Sequence, residues 1–262
     1  MRPLRVLSMG AGVQSSCLAL MMKHGEIEPA DLVVFADTGD EPRAVYKWLD
    51  WLEGEIDMPL VRVQHEDGLA AAIDKACRDG SRVSSPPLFT ASGGKVMRQC
   101  TWDYKVMPIR RHVRPLLEKG QRCVMIRGIS WDENQRAKPS DVKYIEHEHP
   151  LCSIERPMTR NDCKRWMVAH GYTIPPRSAC KRCAYRCNVE WALMRDLSPD
   201  DFEDACQSDE LMRDNMPGLK ERVYIHRQLV PLREADLRGD IDRGQGILPG
   251  MGWADCEGMC GV

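Results

Sequence analysis

The segment LRVLSMGAGVQSS, residues 4–16, sets the pattern for the first half of the chain. Its first five residues form a short apolar run typical of a buried strand, and Gly10 and Gly12 end that run. Apolar residues then recur with helical spacing over residues 13–24. Glycines in such a turn let the backbone approach a ligand, and the hydroxyls and amides at the helix start can hold an anion. The segment predicts a strand, an anion-binding turn and a helix.

The same alternation of strand and helix patterns continues to about residue 150. Further strand patterns lie at residues 31–36, 60–64 and 123–129, and further helix patterns at residues 42–54, 69–78 and 104–119. Residues 80–96 are rich in Ser, Pro and Gly and predict a loop. Strands that alternate with helices predict an α/β fold with a mostly parallel, doubly wound sheet that has helices on both faces.

After Pro150 the pattern becomes helical, with helix patterns at residues 160–170, 189–195 and 199–215. This part of the chain also contains a CxxC pair, Cys180 and Cys183. We therefore predict two domains: an α/β domain over residues 1–150, and a helical extension with a cysteine-containing tail over residues 151–262.

Composition places the chain among ordinary globular proteins, with 43% hydrophobic and 29% charged residues in 262. No stretch reaches the roughly 18 apolar residues that a membrane span requires. The first residues lack the layout of a signal peptide, so we expect a cytoplasmic protein with no membrane association. Net charge is −2, but residues 98–122 and 160–195 are basic, which favours an anionic substrate over a merely solvated surface.

Twelve cysteines are many for a cytoplasmic chain, where clustered thiols bind metals or carry out redox chemistry more often than they form disulfides. Cys180 and Cys183 have the spacing that grips one metal centre, and Cys187 follows four residues later. Zinc, an iron–sulfur cluster and a redox dithiol are all compatible with this spacing. Zinc needs a second pair, which Cys256 and Cys260 supply.

Five segments, in order along the chain, resemble the PAPS reductase-like branch of the adenine nucleotide alpha-hydrolase (PP-loop) superfamily, in its iron–sulfur type. The segments are residues 10–16 (GAGVQSS), 35–39 (FADTG), 98–108 (RQCTWDYKVMP), 127–136 (RGISWDENQR) and 178–183 (SACKRC), the last followed by Trp191. The first lies under the PP-loop form SGGxDS, in which Ser15 matches and Gln14 replaces the Asp. That replacement removes a carboxylate that would help to hold magnesium.

The resemblance implies a site for ATP with Mg²⁺, or for a sulfonucleotide. The residues it implies for this nucleotide are Ser8, Gly10, Gly12, Gln14, Ser15, Ser16, Asp37, Thr38 and Gly39. Three cations would neutralise charge on the phosphates: Lys105, Arg127 and Arg136. The resemblance also implies a [4Fe-4S] cluster on Cys100, Cys180 and Cys183. For the fourth ligand we favour Cys260, with Cys256, Cys187 or an open iron position as the alternatives.

Three hypotheses for the function follow. The first is ATP-dependent sulfur transfer or nucleobase modification, in which the substrate is adenylated, pyrophosphate leaves and sulfur displaces AMP. Its partners would be an adenine nucleotide, a sulfur donor and a tRNA or DNA substrate, and we expect a homodimer. The second is a sulfonucleotide reductase with Cys256 as nucleophile and a thiol carrier protein as reductant. The third is a zinc-stapled protein that binds nucleotides or nucleic acid without catalysis.

Overall fold

The computed structural model of the chain describes residues 1–239. Its contacts divide these residues into two compact units. The first unit comprises residues 1–37, 44–64 and 106–178, and the second comprises residues 38–43, 65–105 and those from 179 onward. Each unit therefore collects distant stretches of sequence, whereas the predicted domains meet at one boundary near residue 150. That boundary stays a prediction.

The chain alternates strands and helices through most of the described residues. The strands are β1 (Leu4–Met9), β2 (Leu32–Asp37), β3 (Leu60–Gln64), β4 (Leu88–Thr90), β5 (Lys95–Val96), β6 (Cys123–Arg127), β7 (Ile145–Glu148) and β8 (Val223–Tyr224). The α-helices are α1 (Val13–Lys23), α2 (Arg43–Glu55), α3 (Leu69–Asp79), α4 (Met107–Val113), α5 (Arg160–Ala169), α6 (Asn188–Leu197) and α7 (Pro199–Asn215). No helix among them is both long enough and apolar enough to cross a membrane.

The first unit contains a five-stranded sheet in the order β3-β2-β1-β6-β7. All four strand pairs are parallel. The chain builds outward from β1 to β2 and β3, and later returns to the other side of β1 to add β6 and β7. The strand order thus reverses between β1 and β6, which is where open α/β sheets bind ligands. The predicted α/β fold class is confirmed.

Helices cover both faces of this sheet because its strands alternate apolar side chains between two cores. On one face, Leu7 and Phe35 are fully buried with residues of α1, α2 and α5. On the other face, Val6 and Val34 are fully buried with Ile109 and Val113 of α4. The doubly wound arrangement predicted from the alternating pattern is therefore present in the first unit.

The loops that follow β1 and β6 meet at the point where the strand order reverses. A Cβ atom placed on Gly128, directly after β6, would lie 2.7 Å from the backbone nitrogen of Ser15 and 2.9 Å from its Cα. Both are backbone atoms in the first turn of α1, so a flexible side chain cannot move aside to relieve the clash. Only glycine at position 128 lets β6 pass this close to the start of α1.

The second unit has a core of its own, formed around Leu69, Ile73 and Trp191. It contains a small antiparallel sheet in the order β5-β4-β8. The prediction of a loop over residues 80–96 is therefore wrong at β4 and β5. These strands are three and two residues long, and so short a strand leaves no periodic pattern in the sequence.

The helix predicted over residues 104–119 is broken into three parts. A π-helix spans Trp102–Val106, α4 follows, and a 3₁₀ turn covers Arg114–Leu116. Pro115 has no amide hydrogen to donate to an α-helical bond, which accounts for the end of α4 at Val113.

We expect Gly128→Ala to lower the free energy of unfolding by about 1–3 kcal/mol, because the added methyl group overpacks the first turn of α1. The matched control is Gly54→Ala in α2, where an added Cβ has no heavy atom within 4 Å. That variant should gain up to about 1 kcal/mol from helix propensity. Urea unfolding at equal m-value measures both changes. Equal stability of Gly128→Ala and the parent chain would contradict the close approach.

Candidate functional site

The glycine turn after β1 leads into a helix whose first amides are not capped by a side chain. Gly12 occupies the N-cap position of α1, and the first turn of this helix has no acidic residue. Ala11 adopts a positive φ of 55°, which is strained for a residue with a side chain. The N-terminus of a helix carries a partial positive charge and free N–H groups. This turn therefore offers what an anionic ligand needs.

Hydroxyl groups hold the turn in shape. The Gly10 N–H donates to Ser15 Oγ over 3.2 Å, and the Ser15 hydroxyl donates to the Gly12 carbonyl over 3.4 Å. The Ser178 hydroxyl donates to the Gly10 carbonyl. Ser16 is fully buried and accepts a hydrogen bond of 3.0 Å from Trp48 Nε1, so its hydroxyl helps to pack α1 against α2.

Further predicted residues lie at the carboxyl ends of neighbouring strands. Ser8 of β1 pairs in register with Arg127 of β6. Asp37 ends β2, where its Oδ1 accepts a hydrogen bond of 2.8 Å from the Tyr46 hydroxyl. Gln14 donates through Nε2 to the buried Ser130 Oγ over 3.4 Å. Ser130 did not stand out in the sequence, but its position three residues after the end of β6 was a usable signal.

Two arginines bring positive charge to the end of β6. Burial, and then the nearby positive charge of Arg136, lower the pKa of Arg127. Arg136 is held by Glu133, with 2.6 Å between Nη1 and Oε2. Two guanidinium groups close enough to lower a pKa repel each other, and a bound anion would relieve that repulsion. The structure thus brings Arg127 and Arg136 together in the first unit.

Two histidines that were not predicted as site residues lie near Arg127. Burial, and then the positive charge of Arg127, lower the pKa of His149 to about 4. Burial also lowers the pKa of His147, whose Nδ1 lies 2.9 Å from the Lys138 carbonyl oxygen. Their ring centroids are 6.1 Å apart. The sequence HEHP showed two histidines on alternate positions, but not that they lie beside Arg127.

In the second unit, Glu41 is the centre of a polar cluster. Its side chain is fully buried, and its Oε1 lies 3.3 Å from Lys105 Nζ and 3.4 Å from Thr38 Oγ1. The Cys180 thiol lies 3.3 Å from Thr38 Oγ1 and 3.9 Å from Glu41 Oε1. Lys105, predicted to bind phosphate, is therefore paired with a carboxylate here. Glu41 itself was not predicted as a site residue.

Neighbouring charges in the second unit are also paired. The Asp40 carboxylate is fully buried 3.0 Å from Arg182 Nε, and burial raises the pKa of Asp40. The backbone of Lys181 donates to the Asp40 carbonyl over 2.7 Å. Gly39 has a φ of +69°, which glycine adopts without strain, and it lets the chain turn between Thr38 and Asp40.

The three predicted cluster ligands within the described residues all belong to the second unit. Cys100 and Cys180 are partly buried against the core of the second unit, and Cys183 is buried. The Cys183 N–H donates to the Cys180 carbonyl over 3.1 Å, so the CxxC forms a turn. Burial, and then the negative charge of Glu41, raise the pKa of Cys180 well above its usual range. A protonated thiol is a poor metal ligand.

Within residues 1–239, no three His, Cys, Asp or Glu side chains come together in a way that could hold a metal ion. Cys100, Cys180 and Cys183 therefore do not form such a group in this structure. Cys256 and Cys260, predicted as nucleophile and fourth ligand, lie outside the described residues. The [4Fe-4S] assignment and its zinc alternative stay predictions.

Many cations of the two basic runs have carboxylate or carbonyl partners. In the first unit, Arg110 pairs with Asp141, and in the second unit Lys181 pairs with Asp204. Arg186 donates to the carbonyls of Ala179 and Cys180. Part of the positive charge that favoured a nucleic-acid partner therefore stabilises the fold. The tRNA or DNA substrate stays a prediction.

No family model matches the sequence, and no curated protein matches it. Among solved structures, the chain is similar to a phosphoadenylyl-sulfate (PAPS) reductase from Candida auris, determined as a phosphate complex. The TM-score is 0.45 and the sequence identity 12%, over 66% of this chain and 75% of that one. This likeness is too distant for residue roles to be transferred.

The ion pair of Glu41 and Lys105 yields a prediction about stability. We expect Lys105→Met to lower the free energy of unfolding by about 3 kcal/mol, because it leaves the Glu41 carboxylate buried without its cation. The double variant Lys105→Met with Glu41→Gln should recover most of that loss, since neither partner is then charged. A double-mutant cycle in urea measures the coupling. Additive single and double variants would show that the pair is not formed.

The lowered pKa of His149 yields a prediction about acid stability. Between about pH 6.5 and about pH 4, the unfolded chain binds a proton at this histidine that the folded chain does not bind. Acidification through this window therefore lowers the free energy of unfolding. His149→Gln should reduce the loss between pH 6.5 and pH 4 while matching the parent chain at pH 7.5. Identical pH profiles for the two proteins would rule out a neutral, buried His149.

Proposed function

We propose that the chain is an enzyme that binds an adenine nucleotide at the glycine turn, as the PAPS reductase-like branch of the PP-loop superfamily does. The observation that carries the proposal is the meeting of the β1 and β6 loops where the strand order reverses. The uncapped N-terminus of α1 lies there, and Gly128 lets the end of β6 pack directly against its first turn. Ligands of open α/β sheets bind at such crevices.

Phosphate groups are the part of the nucleotide that this site suits. The first amides of α1 would donate to phosphate oxygens, and the helix dipole would favour their negative charge. Arg127 and Arg136 would offset the charge of a further phosphate, which would also relieve the burial cost and the repulsion from Arg136 that together lower the pKa of Arg127. Ser8, Gly10, Gly12, Gln14, Ser15 and Asp37 remain the proposed nucleotide residues of the first unit.

The reaction we favour is adenylation of a substrate oxygen with release of pyrophosphate, followed by displacement of AMP by sulfur. The cations at the end of β6 would stabilise the charge that develops on the leaving pyrophosphate. An adenine nucleotide, a sulfur donor and a tRNA or DNA base are the proposed partners. The cytoplasmic location and the homodimer stay predictions from the sequence.

One observation favours the sulfonucleotide reductase as a second candidate. The first turn of α1 has no acidic residue, because Gln14 stands where the PP-loop form has Asp. A reductase that does not cleave ATP has no need of a magnesium ligand at this position. The proposed nucleophile of this second reaction is Cys256, and a thiol carrier protein would reduce the product.

Calorimetric titration tests nucleotide binding. We expect the full chain to bind ATP or a sulfonucleotide, and Arg127→Met to weaken binding at least about tenfold, because a charge-assisted contact is lost. The matched control is Arg62→Met on β3, where Arg62 pairs with Asp50 and Glu53. It should change the affinity less than about twofold. If the parent chain binds neither nucleotide, the proposal is wrong.

Product analysis separates the two reactions. Magnesium-dependent release of pyrophosphate from ATP in the presence of tRNA or DNA would support adenylation. Release of sulfite from a sulfonucleotide with a thiol reductant would support the reductase.

Metal analysis of protein purified without oxygen tests the cysteine assignments separately from the nucleotide site. About four irons and four sulfides per chain, lost in Cys180→Ser with Cys183→Ser, are the result that the predicted cluster requires. Stoichiometric zinc without sulfide would favour the zinc-stapled protein instead.

A further inference from the structure

The register of the central strands places three polar residues at one level of the sheet edge. Ser8 of β1 is opposite Arg127 of β6, and Ile126 of β6 is opposite Glu148 of β7. His149 follows Glu148 as Arg127 follows Ile126. Ser8 and Arg127 therefore stand side by side at the carboxyl ends of β1 and β6, and His149 is the residue that directly follows the end of the neighbouring strand β7.

His149 has a ring nitrogen that the described fold does not use. Its Nε2 is buried and has no hydrogen-bond partner within residues 1–239. The nearby His147 differs, since its Nδ1 is within hydrogen-bond distance of the Lys138 carbonyl. A buried polar atom without a partner is rare in folded proteins, and a bound ligand is one common reason for it.

The charges around His149 favour an anion. Arg127, His147 and Glu148 are the titratable groups that act on it, and Arg136 acts in turn on Arg127. The carboxylate of Glu148 is held by Arg5 through contacts of 2.9 and 3.2 Å. Glu133 is likewise held by Arg136. Glu148 and Glu133 thus each have an arginine partner.

We propose that His149, together with Arg127, binds a phosphate or sulfate group of the nucleotide, and that His149 takes up one proton when this anion binds. This inference rests on the proposed nucleotide-binding function and adds a residue to that site. The Nε2–H would donate to an anion oxygen, and the charged imidazolium would be stabilised by the dianion. No covalent bond is made or broken in this step.

The direction of the pH effect follows from linkage. In the free protein, burial and Arg127 keep the His149 imidazole neutral down to about pH 4. A dianion beside it opposes the charge of Arg127 and raises the pKa of His149. Anion affinity should therefore increase as the pH falls from the bound-state pKa toward 4, and level off below 4, where the free protein is already protonated.

Nuclear magnetic resonance of the histidine rings in the full chain tests this coupling directly. The probe is inorganic sulfate, which stays a dianion throughout the titration, with inorganic phosphate as the second arm. The His149 signal is identified by its absence in His149→Gln. We expect saturating anion to raise its pKa by at least one unit. A His149 pKa that neither anion moves would overturn the inference.

Calorimetry of ATP binding at about pH 5.5, in two buffers of different ionisation enthalpy, counts the protons taken up. On binding ATP, the parent chain should bind as much as one proton more than His149→Gln binds. The matched control His147→Gln should retain most of the proton uptake of the parent chain. Because the protons of ATP itself are common to all three proteins, the difference belongs to His149.

The outcomes separate this inference from the proposed function. ATP binding with equal proton uptake in the parent chain and His149→Gln would overturn the inference and leave the function intact. Sulfate binding with proton uptake, but no binding of ATP or a sulfonucleotide, would support the anion subsite and overturn the nucleotide function. A preference for sulfate over phosphate would indicate which anionic group the subsite takes.

Discussion

The close approach of Gly128 to the first turn of α1 is the constraint on which the candidate site depends. With less than 3 Å between a Cβ at this position and two backbone atoms of Ser15, no residue larger than glycine fits without moving α1. This contact brings the end of β6 to the glycine turn, and with it Arg127 and Ser130. A buried hydrogen bond from Trp48 of α2 to Ser16 then fixes the start of α1 on the side that faces α2. The turn can therefore keep Ala11 in a strained conformation.

The second unit uses buried charge as part of its framework. Asp209, nearly fully buried, accepts from the backbone amides of Ile225 and Leu232 and pairs with Arg213 at 2.8 Å. Asp40 and Glu41 are likewise buried beside Arg182 and Lys105. Breaking one partner of such a pair leaves a charge in a medium that solvates it poorly. Some of the basic residues in the sequence are thus paired with buried carboxylates inside the fold.

The cysteines show how far a short motif determines chemistry. The CxxC spacing makes two thiols neighbours in a turn, and that much the sequence settles. Whether they are thiolates depends on the rest of the fold, because burial, and then the negative charge of Glu41, far from Cys180 in the sequence, raise the pKa of Cys180. Lys181 and Arg182, their basic neighbours in the sequence, pair with Asp204 and Asp40.

The sequence by itself determined the α/β class, the order of the main strands and helices, and the position of the glycine turn, because hydrophobic periodicity and glycine act locally. It also singled out Arg127, through the resemblance of residues 127–136 to a family segment. Only the tertiary structure decided the strand order, the neighbours of each charge and the placement of β4, β5 and β7. It alone brought His149 beside Arg127 and Glu41 beside Cys180. Such pairings depend on long-range packing and burial, which no window of local sequence encodes.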